Sequence, residues 1–166
     1  MNQAFADRIK KEFKALTGID LEATYMSAPH SPSTLQSGTC GVYVFMSGKH
    51  CFKVGKAGPK AKARWNSHHY NLDKKTPSTL PKTILKYREF FMSYFPSEVQ
   101  NEISGLCKSN IQAWMKNRMS RIEFLVGSEC DGFALNLLEA LVQYRLRPVF
   151  EGRRKPVVCE QSQANR

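Results

Sequence analysis

Phe5, Ile9, Phe13 and Leu16 recur at helical spacing with charged side chains on the opposite face, which predicts a packing helix over residues 2–16, stopped at Gly18. The period then changes. From Gly41 to Met46 and from Cys51 to Val54, β-branched and aromatic residues predict two strands, and Ser47, Gly48, Lys49 and His50 between them predict a hairpin turn. In the first strand Val42, Val44 and Met46 point one way, Tyr43 and Phe45 the other. A two-residue turn at Gly48-Lys49 would pair Val44 with Lys53 and put Tyr43 on the opposite face. A three-residue turn shifts the register by one and brings Tyr43 and Lys53 together, and this is the register expected. Gly55 to Gly58 then breaks the strand, and Pro59 opens a helix expected to reach His69 or Tyr70, with Arg64 and His68 on one face.

The other segments read as support. Ser27 to Gly38 predicts a surface loop in which His30 has no evident partner, and Asn71 to Pro81 is polar. Ile84 to Phe95 is rich in aromatics and reads equally as an extended segment or a short helix. Glu98 to Met119 predicts one helix, opened by Ser97 and packed through Ile103, Leu106, Ile111, Trp114 and Met115. Arg121 to Val126 predicts a strand, and Asp131 caps an apolar helix that ends at Pro148. Inside that helix Glu139 stands among Leu135, Leu137, Leu138, Leu141 and Val142. A carboxylate so placed must be paired, hydrogen-bonded or metal-bound, unless Asn136, Glu139 and Gln143 form a narrow solvated stripe. The two readings stand even.

Charge narrows the choice of partner. The 166 residues, 42% of them hydrophobic, suffice for one domain with a real core, residues 1–166. The formal charge is +11, and Lys49, Lys53, Lys56, Lys60, Lys62 and Arg64 follow one another with no acid among them. Arg145, Arg147, Arg153, Arg154 and Lys155 form a second basic group. A polyanion is the economical partner, with solubility the alternative use of such charge. Five cysteines without a CxxC pair read as reduced thiols, and no apolar run is long enough for a signal-peptide core or a membrane span. A soluble, cytoplasmic protein is expected.

These residues resemble the GIY-YIG nuclease superfamily. Its first motif matches Gly41-Val42-Tyr43 and its second, nine residues on, matches Lys53-Val54-Gly55. The arginine of the following helix falls on Arg64, the histidine or tyrosine one turn later on His68, and the glutamate of the final helix on Glu139. Lysine at position 53, where the family usually has tyrosine, is similar to some restriction-type and phage-type members. The asparagine often found about a dozen residues beyond the glutamate is absent, with Phe150 and Glu151 in that neighbourhood. Residues 1–37 then form an N-terminal extension and 72–119 an insertion.

The resemblance implies an α+β fold, a small central antiparallel three-stranded sheet flanked by helices, with an N-terminal helix and a helical insertion. It implies a metal-dependent endonuclease that hydrolyses DNA phosphodiesters, expected to act on duplex DNA in a restriction-type manner. Glu139 would hold Mg²⁺, or Mn²⁺ in its place, and Tyr43 would be the general base, its pKa lowered by Lys53 and His68. Arg64 would grip the scissile phosphate, helped by the amides of Gly55 to Gly58 and a helix N-terminus at Pro59. His68 would relay a proton or contact a neighbouring phosphate. Lys49, Lys56, Lys60, Lys62, Arg145, Arg153 and Arg154 are the further candidates for DNA contact. A double-strand break would take a homodimer or two successive nicks, and a restriction-type enzyme favours the dimer. The alternatives are a structure-specific or repair nuclease of the same family and a nucleic-acid-binding protein that does not cut.

Overall fold

Helix α1 (Gln3–Thr17) forms where the helical period predicts it and buries Phe5, Ala6, Ile9 and Phe13. It stops at Gly18, whose φ of 74° lets its amide return to the Lys14 carbonyl at 2.8 Å. Strands β1 (Leu21–Met26), β2 (Cys40–Ser47), β3 (His50–Ala57) and β4 (Ser120–Val126) then join in one antiparallel sheet, in the order β1-β4-β2-β3. This is a computed structural model, and it describes residues 3–67, 70, 72, 80–127 and 131–150.

The sheet has one strand more than the three expected. β1 pairs with β4 from Leu21 opposite Val126 to Met26 opposite Arg121. It is an outer strand in which only Leu21 is fully buried, so its alternation is too shallow to show in six residues. The hairpin register also arises differently. Gly48 and Lys49 form a two-residue turn, with Ser47 opposite His50 and Met46 opposite Cys51. Phe52 then enters β3 as an extra residue, so that Phe45 lies opposite Lys53 and Tyr43 opposite Gly55. Tyr43 and Lys53 do share a face, through a bulge rather than a three-residue turn. The bulge turns Phe52 into an aromatic cluster, with ring centroids 4.8 Å from Phe91 and 5.7 Å from Phe95.

Side-chain alternation divides the core between the two faces of the sheet. On one face Val42, Val44, Met46, Val54, Ile122 and Phe124 pack against α1 and the last helix. On the other, Tyr43, Phe45 and Phe52 pack against helix α2 (Lys62–Asn66) and the described part of the insertion, α3 (Leu80–Lys86), α4 (Arg88–Met92), α5 (Ser97–Ser104) and α6 (Ile111–Arg118). The helix expected from Pro59 starts at Lys62 instead, because β3 continues through Gly55 to Ala57 and Gly58–Ala61 is a turn. The single helix expected over Glu98 to Met119 is two. Asn110 breaks it by accepting from the Cys107 amide at 2.7 Å and donating to the Gly105 carbonyl at 3.0 Å. Helix α7 (Gly132–Leu146) opens on the expected cap, the Asp131 carboxylate accepting from the Ala134 amide at 2.7 Å. Among the described residues no helix is long and apolar enough to cross a membrane.

The loop between β1 and β2 is anchored inside. His30, read from sequence as unpartnered, is 4% exposed, with Nδ1 2.6 Å from the Met119 carbonyl and Nε2 2.7 Å from the Tyr70 hydroxyl. A carbonyl only accepts, so Nδ1 carries the proton, and Tyr70 donates to Nε2 while accepting from Arg121 Nη1 at 3.3 Å. This chain has no place for a second proton on the ring. Burial, with Arg121 and Lys116 nearby, lowers the His30 pKa from 6.5 to about 4, against the raising effect of the Met119 contact. The unfolded chain therefore binds more protons between those two values, and stability is full above the upper one and lost as pH falls towards the lower. The loss is expected to be roughly 3 kcal/mol. Urea melts of wild type and His30→Gln across that window test it: the His30 share of the slope should disappear in the variant, and an unchanged slope would rule it out.

Candidate active site

Two glycines let aromatic rings cross the sheet. A Cβ at Gly41 would lie 2.8 Å from the Trp65 ring, and one at Gly55 would lie 2.5 Å from the Tyr43 ring carbon that bears the hydroxyl, and nearer still to the hydroxyl oxygen. Tyr43 therefore reaches across the bare backbone of Gly55 to the outer edge of the sheet. Trp65, fully buried as its size suggests, holds α2 over this surface and donates from Nε1 to the Ser33 carbonyl at 3.1 Å. With Trp65 facing inward, its neighbour Arg64 is exposed, and its positive charge acts on the Tyr43 hydroxyl.

The next residue of β3 supplies the other half. Lys56 lies opposite Val42 and so faces α7, where Nζ is 2.7 Å from Glu139 Oε2 and donates to Asn136 Oδ1 at 2.5 Å. Glu139 is half-buried and ion-paired, which decides between the two readings of it, although the stripe partner Asn136 also joins the contact. The negative charge of Glu139 acts on Tyr43 across the edge of β3. A tyrosine hydroxyl and a guanidinium on one face of the sheet, and an ammonium and a carboxylate on the other, thus flank Gly55 and Lys56.

No family model, curated protein or solved structure matches the chain. The reading of the site rests on the residues themselves.

Beneath the site lies a group that the sequence reading passed over. Arg121, fully buried, places Nε 2.8 Å from Glu123 Oε1 and donates from Nη2 to the Trp65 carbonyl at 3.0 Å. Its guanidinium lies 5.3, 5.4 and 5.2 Å from the ring centroids of Tyr43, Phe45 and Trp65. Glu123, opposite Tyr43 in the sheet, also accepts from the Ser33 amide at 3.2 Å. The available signal was the pair of opposite charges two residues apart in a strand flanked on both sides, which puts both on one covered face.

This surrounding reverses the expected pKa shift. Burial pushes the Tyr43 hydroxyl above 10, outweighing the lowering by Arg64 and Arg121, and Glu139 adds to the rise. Arg64 and Arg121 supply positive charge that opposes burial, and Lys53 shares the face, opposite Phe45. His68 lies outside the described residues, as do Arg153 and Arg154. Lys60 and Lys62 are exposed around the α2 turn beside Arg64. Lys49 is exposed at the hairpin tip, about 20 Å along β3 from Gly55. Arg145 is held by Glu12 of α1, at 3.0 Å from Nη2 and 3.1 Å from Nε. The phosphate-binding helix end expected at Pro59 is replaced by a turn, and α2 is only five residues long.

Proposed function

We propose that the chain is a divalent-metal-dependent endodeoxyribonuclease of the GIY-YIG type, acting on duplex DNA in a restriction-type manner. The observation that carries this reading is that Tyr43 with Arg64 on one face of the edge strand, and Glu139 on the other, flank the same two residues, Gly55 and Lys56, within a strongly basic chain. Phosphodiester hydrolysis needs a cation on the attacked phosphate, a proton acceptor for water and help for the leaving oxygen. Arg64 is exposed, with a fork of donors suited to a non-bridging pair of phosphate oxygens. Lys60 and Lys62 extend the same surface along the backbone of the duplex.

Glu139 fits a hard divalent ion. Its Oε2 already faces a cation, and Mg²⁺ needs only one or two carboxylates because it keeps several waters. A cation bound there would neutralise charge on the phosphate. Tyr43 is a phenol at neutral pH, so as general base it works through a small ionised fraction that Arg64 and Arg121 favour.

Supercoiled plasmid incubated with Mg²⁺ or EDTA tests the reading. Metal-dependent nicks or discrete fragments are expected from wild type, a loss of at least ~10²-fold in Glu139→Gln, Arg64→Ala and Tyr43→Phe, and a rate that climbs with pH from neutral upward. Plasmid that stays intact while a gel still shows it bound would favour a non-cleaving binder, and cleavage confined to forked DNA a structure-specific nuclease.

A further inference from the structure

Two oxygens of α7, one turn apart, are occupied by a single positive group. Glu139 Oε2 and Asn136 Oδ1 meet the Lys56 ammonium at 2.7 and 2.5 Å. Lys56 and Glu139 are each partly open to solvent, with 34% and 19% side-chain exposure, so another cation can reach the pair. The ammonium hangs on a four-carbon arm beside Gly55, the residue that Tyr43 overlies.

We propose that Lys56 is the resident cation of a two-oxygen divalent site formed by Glu139 and Asn136, and that a divalent ion displaces it towards the phosphate held near Arg64. The inference rests on the nuclease reading for the phosphate and goes beyond it in naming the second oxygen ligand and the competing cation. A carboxylate and an amide oxygen at i and i+3 on a helix lie on one face, and both are the hard donors that Mg²⁺ and Mn²⁺ accept. An ammonium and a dication compete for the same oxygens, since both cannot sit within contact distance of one carboxylate without mutual repulsion. Once displaced, Lys56 adds a cation to the exposed row of Lys60, Lys62 and Arg64. In the metal-free protein the same group keeps Glu139 neutralised, so the carboxylate does not repel an approaching phosphate.

Mn²⁺ titration of the protein without DNA, followed by the electron paramagnetic resonance signal of the free ion, tests this apart from catalysis. Lys56→Met should bind Mn²⁺ roughly fivefold more tightly than wild type, the scale of one partly exposed ion pair. Asn136→Ala should bind on the order of tenfold more weakly, and Glu139→Gln should lose binding. Lys56→Gln serves as the second lysine variant, and circular dichroism melts confirm that each protein is folded. Equal or weaker Mn²⁺ binding in both lysine variants, or unchanged binding in Asn136→Ala, would overturn the proposal, as would absence of Mn²⁺ binding throughout. The Lys56 and Asn136 outcomes leave the nuclease reading to the plasmid; tighter binding by Lys56→Met in a protein that never cuts would uphold this site and sink that reading.

Discussion

Replacing Glu123 by glutamine is expected to cost about 3–5 kcal/mol of folding stability, because it leaves Arg121 charged in the interior without its counter-ion. Both side chains are almost fully shielded, at 0% and 2% exposure, so no solvent takes over when the carboxylate goes. The guanidinium keeps its bonds to the Trp65 carbonyl and the Tyr70 hydroxyl and its three aromatic neighbours. Those contacts orient it but carry no negative charge. The side-chain amide introduced at position 123 also brings an N–H donor towards a guanidinium that can only donate. Removing both charges is different: Arg121→Met with Glu123→Leu should regain most of the loss, since an apolar pair of similar volume carries no desolvation penalty. Guanidinium chloride melts at neutral pH measure both. A single-variant loss below about 1 kcal/mol would mean that the pair is far better hydrated than its burial indicates.

The part of the site that could be read from sequence is the part made by local order. Tyr43 and Arg64 follow one another along a hairpin and a short helix, and their spacing places them near one another with little help from the rest of the chain, with Lys53 on the same face of the sheet. Glu139 could be singled out because a lone acid in an apolar helix needs a partner, but the pattern does not say which. That partner, Lys56, is set by which residues of β3 face α7, and this follows from the bulge at Phe52. The bulge in turn depends on Phe91 and Phe95, about forty residues away in the insertion. The direction of the Tyr43 shift was missed for the same reason. Neighbouring lysines in the sequence suggested a positive surrounding, whereas burial under Trp65, Phe45 and the insertion governs it. β1 lacked a signal of its own, its pairing being fixed by β4, a hundred residues on.

Gly55→Ala should abolish cleavage, by at least ~10²-fold, while leaving duplex binding largely intact. The added methyl would overlap the hydroxyl end of Tyr43, and the ring has nowhere to go. It is fully buried, in edge-to-face contact with Phe45 at 6.0 Å and Trp65 at 5.9 Å, with the Arg121 guanidinium beyond. Relief must come from the hydroxyl moving from its place under the influence of Arg64 or from the edge strand moving outward. Movement of the strand shifts Gly55 and Lys56 relative to α7 and so changes the placing of Tyr43 against Glu139, and either route therefore separates groups the proposed chemistry needs together. The overlap itself should lower stability by about 1–3 kcal/mol, the usual range for overpacking. Gly127→Ala is the control, since a Cβ there meets nothing within 4 Å, and it should behave as wild type in stability and cleavage. Gel retardation on a linear duplex separates binding from chemistry, because Arg64, Lys60 and Lys62 remain on the surface in either relaxed form. If Gly55→Ala cuts plasmid at the wild-type rate, the Tyr43 hydroxyl has no fixed place in the reaction.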